Sequence, residues 1–356
     1  MASVVDAPPD PPAARARRPR YPGRNPRAFD QKYKELNAER YADDVQKIRT
    51  AGKTPAGSHV PIMVAEVLEC LRPQPGDIAV DCTLGGGGHA RAILERLLPR
   101  GRLIGLDIDP LELPRTVGRL AAAGFKAPAV TAHAKNFASL PKVLAEEGIA
   151  AADVILADLG VSSMQLDNPA RGFSWKGVGP LDMRMNPSRG EPASTLIARL
   201  SEPDLATLLR DNADEPHAER IARVLKRQAI ETTHALERMV RTDLSASELR
   251  LDNAAVKLSV RRTFQALRIA VNDEFAVLDS LLRVLPECLA AGGRVAILTF
   301  HSGEDRRVKK AFQRGHREGR YAAVATEVIR SGTEETRANR RATAAKLRWA
   351  VRSQQH

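Results

Sequence analysis

Residues 78–89 read IAVDCTLGGGGH, a short apolar run that leads directly into four consecutive glycines. The apolar run predicts a buried strand, and the apolar spacing from Ala92 to Leu97 predicts a helix after the glycines. Glycine lets the backbone turn tightly, and amides at a helix start face polar or anionic groups. We therefore expect a strand–turn–helix unit with a ligand at its turn, unless the glycines only make a tight turn. Dehydrogenases, kinases and methyltransferases all use such a unit.

Strand and helix signals continue to alternate after this unit. Further strands are predicted at 103–106, 129–133 and 154–157, and a last strand at 295–300. Helices are predicted between the earlier strands. This alternation indicates a parallel sheet with helices on both faces.

The alternation breaks between about 164 and 261, where loops and helices occur without a convincing strand. Apolar residues from Phe264 to Leu285 then recur at three- and four-residue steps, which predicts one long amphipathic helix. We therefore expect a Rossmann-like α/β domain formed by residues 55–163 and 262–356, with a helical substrate-recognition domain inserted at 164–261. Residues 1–54 are expected to be a basic, partly disordered extension.

Two carboxylates follow predicted strands at the edge where an open parallel sheet binds ligands. Asp107 ends the second strand, about 20 residues past the glycines, where a carboxylate can accept hydrogen bonds from both hydroxyls of a ribose. This position suits NAD as well as S-adenosylmethionine. Asp158 ends the fourth strand and could accept a hydrogen bond from a cofactor or a substrate. Turn and cap roles are the alternatives, and Asp109 suits a turn role better than Asp107.

Several function classes are excluded by missing motifs. No lysine follows the glycines as in a Walker A motif, and neither a G-x-S-x-G elbow nor an H-E-x-x-H motif occurs. The cysteines Cys70, Cys82 and Cys288 form no C-x-x-C pair, so we expect free thiols and no metal site. No apolar stretch is long enough to span a membrane, and no secretory signal is evident, which favours a cytoplasmic protein.

The net charge of +12 is concentrated at the two ends of the chain. Residues 1–54 hold 12 Lys/Arg against 7 Asp/Glu, and residues 301–356 hold 14 against 6. The remaining residues are close to neutral. Basic flanks around a neutral body predict binding to a polyanion such as RNA, with solubility as the alternative.

Longer blocks of the sequence carry a family resemblance. The chain resembles the bacterial ribosomal RNA small-subunit methyltransferase H family, which methylates N4 of a cytosine in 16S rRNA. The matching blocks include Asp81–His89, Leu106–Pro110, Asp158–Ser163, Arg171–Ser174, Gly179–Met185, Thr263–Asn272 and Phe300–Ser302.

The resemblance implies a class I S-adenosylmethionine-dependent methyltransferase fold and an rRNA (cytosine-N4-)-methyltransferase activity. The implied substrate is a cytidine in the decoding region, as small-subunit rRNA or the 30S subunit, with neither DNA nor a membrane as partner. The sequence does not specify an oligomeric state. By position, the cofactor contacts fall on Gly87, Gly88, His89, Asp107, Phe137, Asp158 and Gln165. Phe137 and Gln165 rest on the resemblance alone.

The reaction and the RNA contacts lead to further hypotheses. Asp158 is the catalytic candidate, and direct transfer to the exocyclic amine needs no covalent intermediate on Cys82. Phe173 would stack on the flipped cytosine, while Arg171 and Arg184 would hold phosphates. The alternative is that these three residues join the insertion to the α/β domain.

The chain also departs from the family pattern. Gly303 replaces the usual leucine, and Ala213-Asp214-Glu215 replaces the usual Gly-Glu-Glu. Other readings are the same chemistry at another RNA position, or a non-catalytic RNA-binding assembly factor that retains a cofactor pocket. A nicotinamide-dependent dehydrogenase is disfavoured because it does not need basic flanks.

Overall fold

Seven strands form one mixed sheet in the computed structural model, which describes residues 61–246 and 248–354. The strands are β1 (Ile78–Asp81), β2 (Arg102–Leu106), β3 (Val130–His133), β4 (Ala152–Asp158), β5 (Leu289–Thr299), β6 (Tyr321–Val324) and β7 (Lys346–Arg352). Their order across the sheet is β3-β2-β1-β4-β5-β7-β6. The predicted extension at 1–54 lies outside the described residues.

Strands β1 to β5 run parallel, as the alternation predicts. The order reverses between β1 and β4, and such a switch point opens a crevice beyond the carboxyl ends of the two strands. Strand β7 pairs antiparallel with both β5 and β6. The predicted parallel sheet is therefore found for β1 to β5, whereas the alternation did not predict the antiparallel pairing of β7, whose partners lie far from it in the sequence.

Helices cover both faces of the sheet. They are α1 (Val64–Leu71), α2 (Gly88–Leu97), α3 (Leu113–Ala122), α4 (Leu140–Glu146), α5 (Ser163–Asp167), α6 (Ala193–Arg199), α7 (Glu202–Ala213), α8 (Ala218–Leu225), α9 (Thr233–Ser245), α10 (Asn253–Val271), α11 (Glu274–Cys288), α12 (Ser302–Arg317) and α13 (Thr333–Ala338). Val80 and Ile155 pack with α4 and α11, whereas Ala79 and Leu156 pack with α1 and α2. Because successive strand residues point to opposite faces, each strand contributes to both layers. No helix within the described residues is long and apolar enough to cross a membrane.

Helices α6 to α10 lie between β4 and β5 and have an apolar core of their own. Among the described residues between 164 and 261 there is no strand, only an isolated bridge between Pro180 and Thr232. Buried side chains of α10, including Val260 and Phe264, belong to this helical core. The helical layer therefore continues beyond residue 261 to the end of α10.

The single long helix predicted from 264 to 285 is in fact two helices, α10 and α11. The chain breaks at Asn272 and Asp273, and Asp273 has a φ of 49°. The Asn272 side chain donates to the Met183 carbonyl at 2.8 Å and accepts from the Met185 amide at 2.7 Å. The apolar spacing concealed the break because both helices bury an apolar face.

Candidate functional site

A cavity of about 1260 Å³ opens at the carboxyl ends of β1, β2 and β4. All seven predicted cofactor residues line it: Gly87, Gly88, His89, Asp107, Phe137, Asp158 and Gln165. The predicted substrate residues Arg171, Phe173 and Arg184 do not line it. The structure therefore brings the cofactor candidates together and places the other three elsewhere.

The glycine turn between β1 and α2 lies at the cavity wall and has no room for side chains at Gly87 and Gly88. Gly87 has a φ of 78°, and a Cβ there would come within 2.8 Å of Thr116 Cγ2. A Cβ at Gly88, where α2 begins, would lie 2.8 Å from Pro61 Cγ. Glycine at both positions keeps the first amides of α2 accessible to a ligand.

Asp107, at the end of β2, is connected to this turn. Its Oδ2 accepts from the Gly85 amide at 2.7 Å, and its Oδ1 accepts from the Asp109 amide at 2.8 Å. Burial raises the pKa of Asp107 to about 6. Each carboxylate oxygen has more than one acceptor site, so both can still accept from hydroxyl groups in the cavity.

Asp109 has a larger role than the turn assigned to it from sequence. The residue is 1% exposed, and its Oδ2 accepts from Gln165 Nε2 at 2.8 Å and from Arg171 Nη1 at 2.7 Å. It therefore links the cofactor wall to the start of the helical insertion. Because its two partners lie 56 and 62 residues further along the chain, no local pattern revealed them.

The contacts of Arg171 favour the joining role over the RNA-binding role, whereas the contacts of Phe173 and Arg184 lie within the insertion. Besides Asp109, the Arg171 guanidinium donates to the carbonyls of Arg184 and Met185, and the residue is 8% exposed. Phe173 is buried in the helical core. The Arg184 guanidinium donates to the Asp182 carboxylate at 2.9 and 2.7 Å.

Asp158, at the end of β4, lies next to His89, and both residues line the cavity. Its Oδ2 lies 3.5 Å from His89 Nδ1, while His89 Nε2 lies 2.9 Å from the Ile62 carbonyl oxygen. A carbonyl only accepts, so Nε2 carries the proton and Nδ1 is left as an acceptor. Burial lowers the pKa of His89, which keeps the ring neutral.

The Asp158 carboxyl group is itself incompletely satisfied. Its Oδ1 is buried and has no hydrogen-bond partner among the described residues. Burial and the nearby Glu304 carboxylate raise the pKa of Asp158 to about 7. The Asp158 side chain is nevertheless 28% exposed, so a ligand in the cavity can reach the other oxygen, Oδ2, of the carboxyl group. Its pKa also suits proton transfer near neutral pH.

A second acidic group lies beside Asp158. Glu274, His301 and Glu304 offer atoms within 4.8 Å of one another, a spacing that metal sites share. Both oxygens of Glu274, however, accept from the Arg268 guanidinium at 2.8 Å. The charge of Glu274 is therefore already balanced by a protein cation.

The segments that carry the two departures from the family pattern are in contact. Arg306 Nη2 donates to Asp214 Oδ2 at 3.0 Å, which joins the end of α7 to α12. In the first turn of α12, a Cβ on Gly303 would lie 2.6 Å from the Phe275 ring. A leucine at 303 would therefore displace the aromatic ring, which Arg307 covers at 3.7 Å from its centroid.

The three cysteines are buried and unpaired. Cys82 lines the cavity, yet burial and the nearby Asp81 raise the pKa of its thiol well above the usual value. A protonated thiol is a poor nucleophile. The structure therefore supports a reaction that does not pass through this cysteine.

Comparison with known proteins agrees with this arrangement. The model of the MraW methylase family matches residues 56–353. "Ribosomal RNA small subunit methyltransferase H 2" of Alkaliphilus metalliredigens is 47% identical, over 95% of this chain and 98% of the relative. "Ribosomal RNA small subunit methyltransferase H 1" of Lachnoclostridium phytofermentans is 45% identical, over 95% and 93%. The chain therefore belongs to the MraW methylase family.

Proposed function

We propose that this protein is a cytoplasmic enzyme that transfers a methyl group from S-adenosylmethionine to N4 of a cytidine in the decoding region of small-subunit rRNA. The observation that carries the proposal is the Asp158 carboxylate, whose side chain is 28% exposed, at the wall of a cavity shared with the glycine turn. The relatives named ribosomal RNA small subunit methyltransferase H supply the substrate class.

The residues around the cavity fit S-adenosylmethionine. The Asp107 carboxylate would accept from the ribose hydroxyls, and the glycine turn lets the ligand approach the first amides of α2. Phe137 would pack near the adenine, and Gln165 is held in place by Asp109. When bound, the cofactor supplies an electrophilic methyl group on a positively charged sulfur.

The chain's own residues would orient the amine and take its proton. An exocyclic amine is a weak nucleophile because its lone pair is delocalised into the ring. The Asp158 carboxylate would accept a hydrogen bond from N4 through its accessible oxygen, Oδ2, align the amine with the methyl group and receive the proton as the C–N bond forms. The Thr83 hydroxyl accepts from the Asp158 amide at 2.6 Å and so fixes the main chain at the end of β4 beside the glycine turn.

The cavity has room for a nucleotide beside the cofactor. Its volume of about 1260 Å³ exceeds the roughly 300–1,000 Å³ typical of a site for one small ligand. Enzymes that modify a base extrude it from its stack into such a pocket, at a cost of a few kcal/mol. Arg171 and Phe173 would serve by holding the pocket walls together.

Mass spectrometry of small-subunit rRNA from strains with and without this gene tests the proposal. Loss of one N4-methyl group from a decoding-region cytidine, restored by the wild-type gene but not by Asp158→Asn, is the expected result. A lost methyl group elsewhere would establish the same chemistry at another RNA position. An unchanged methylation map would refute the proposal and favour a non-catalytic assembly factor.

A further inference from the structure

Four cations at the mouth of the cavity have no ion-pair partner among the residues that the structure describes. We call them the rim cations: Lys176, Arg261, Arg337 and Arg340. All four line the cavity and all four are exposed. They are therefore available to an anion that approaches from solvent.

Other cations around the same cavity are already neutralised by the protein. Arg268 pairs with Glu274, Arg341 pairs with Asp167 at 2.9 Å, and Lys135 pairs with Glu146. The rim cations differ from these cations because none of them forms an ion pair with a carboxylate among the described residues, and because all four are exposed.

The rim cations belong to two separate parts of the chain. Lys176 follows α5, and Arg261 lies on α10, so both belong to the helical layer between β4 and β5. Arg337 lies on α13, and Arg340 begins the short turn of helix that follows it, so both belong to the segment between β6 and β7. The mouth is therefore bordered by cations from two directions.

A nucleotide that enters the cavity remains covalently joined to its neighbours. The phosphates that flank it must therefore cross the mouth on both sides of the inserted base, where each rim cation can meet one of them. We propose that the rim cations hold these flanking phosphates, so that the helical layer and the segment between β6 and β7 clamp the substrate strand from opposite sides. The inference rests on the proposed function, which requires an inserted nucleotide.

This clamp positions the RNA and leaves base recognition to the cavity. Contacts to phosphate fix register and orientation but carry no sequence information. Each phosphate that a cation neutralises releases counterions, so RNA binding weakens as the salt concentration rises. For single strands, the slope of log affinity against log salt is about −0.7 per contact. The rim cations should therefore account for a measurable part of the salt dependence of RNA binding.

The test compares two variants of the full chain that each lose four positive charges. The rim variant carries Lys176→Ala, Arg261→Ala, Arg337→Ala and Arg340→Ala. The control variant carries Lys126→Ala, Lys142→Ala, Lys309→Ala and Lys310→Ala, which are exposed and lie outside the cavity. Affinity for a short fluorescein-labelled single-stranded RNA of mixed sequence is measured by anisotropy from about 50 to 200 mM salt. Thermal melting checks folding, and calorimetry measures S-adenosylmethionine affinity.

Log affinity falls as log salt rises, and the rim variant should make this slope shallower. Its magnitude should decrease by about 3, four times the single-contact value. The control variant should lower it by less than about 1, and cofactor affinity should be unchanged in both. Equal slopes in the two variants would overturn the clamp, as would a rim variant that binds RNA like the wild type. The wild-type protein could instead show a steep salt dependence of RNA binding that the rim variant loses, while rRNA is left unmethylated. That result would refute the proposed reaction but not the phosphate contacts of the rim cations.

Discussion

Replacing Arg171 by Met tests whether the buried link between Asp109 and the helical insertion holds the site together. The substitution removes the guanidinium while keeping most of the side-chain length. It leaves the Asp109 carboxylate, 1% exposed, with Gln165 as its remaining side-chain donor. It also removes the donor at 2.8 Å from the Met185 carbonyl.

The expected loss is large compared with that of a surface ion pair. Removing one partner of a buried pair leaves an uncompensated charge and typically costs about 3–5 kcal/mol, against a total of about 5–15 for a folded protein. Arg199→Met is the matched control, because Arg199 pairs with Glu191 and its side chain is 58% exposed. Exposed pairs contribute about 0–1 kcal/mol.

Urea unfolding, with midpoints compared at an unchanged slope, measures these differences. The double variant Asp109→Asn/Arg171→Met should be more stable than the sum of the single losses predicts, because the second change removes the stranded charge. The reasoning fails if Arg171→Met costs no more than Arg199→Met. It also fails if the losses at Asp109 and Arg171 simply add, since contacting residues should show a coupling of about 0.5–3 kcal/mol.

Three further predictions concern the reaction. Asp158→Asn should lower kcat by roughly 10²–10⁴-fold while calorimetry still detects cofactor binding, and equal loss of both would contradict a base role. Because Asp158 must be ionised to take a proton, kcat/KM should rise with pH through about 7. Glu304→Gln should move the midpoint of this rise to lower pH, because it removes a like charge near Asp158. An unmoved midpoint would exclude an influence of Glu304 on the pKa of Asp158. Cys82→Ala should retain methylation of rRNA because the thiol stays protonated, whereas abolished turnover in a folded protein would implicate the cysteine.

That the cofactor candidates around the glycine turn lie at one cavity could be predicted because their signals are local. The glycines at 85–88 follow a strand directly, and Asp107 and Asp158 each end one. The carboxyl ends of parallel strands lie at one edge of the sheet. The positions of the strands in the sequence are therefore enough to predict that the residues after them lie close together. Phe137 and Gln165 were placed by family resemblance, since neither carries a pattern of its own.

The interactions that cross between elements could not be predicted in the same way. The Asp109–Arg171 pair, the break at Asn272 and the pairing of β7 with β5 all depend on partners distant in the chain. Hydrophobic periodicity indicates which face of an element is buried, but not which residues pack against that face. The apolar spacing therefore continues across the break between α10 and α11 and did not reveal it.

The cations of this chain show the same division most clearly. A count of charges along the sequence locates basic regions and indicates a polyanionic partner, because net charge adds residue by residue. The hypothesis that Arg171 and Arg184 hold phosphates came from their position just past the expected cofactor site, yet both guanidiniums donate to protein acceptors. Whether an arginine faces solvent or a buried carboxylate depends on packing between distant segments, and the fold leaves the rim cations, rather than Arg171 or Arg184, available at the cavity mouth.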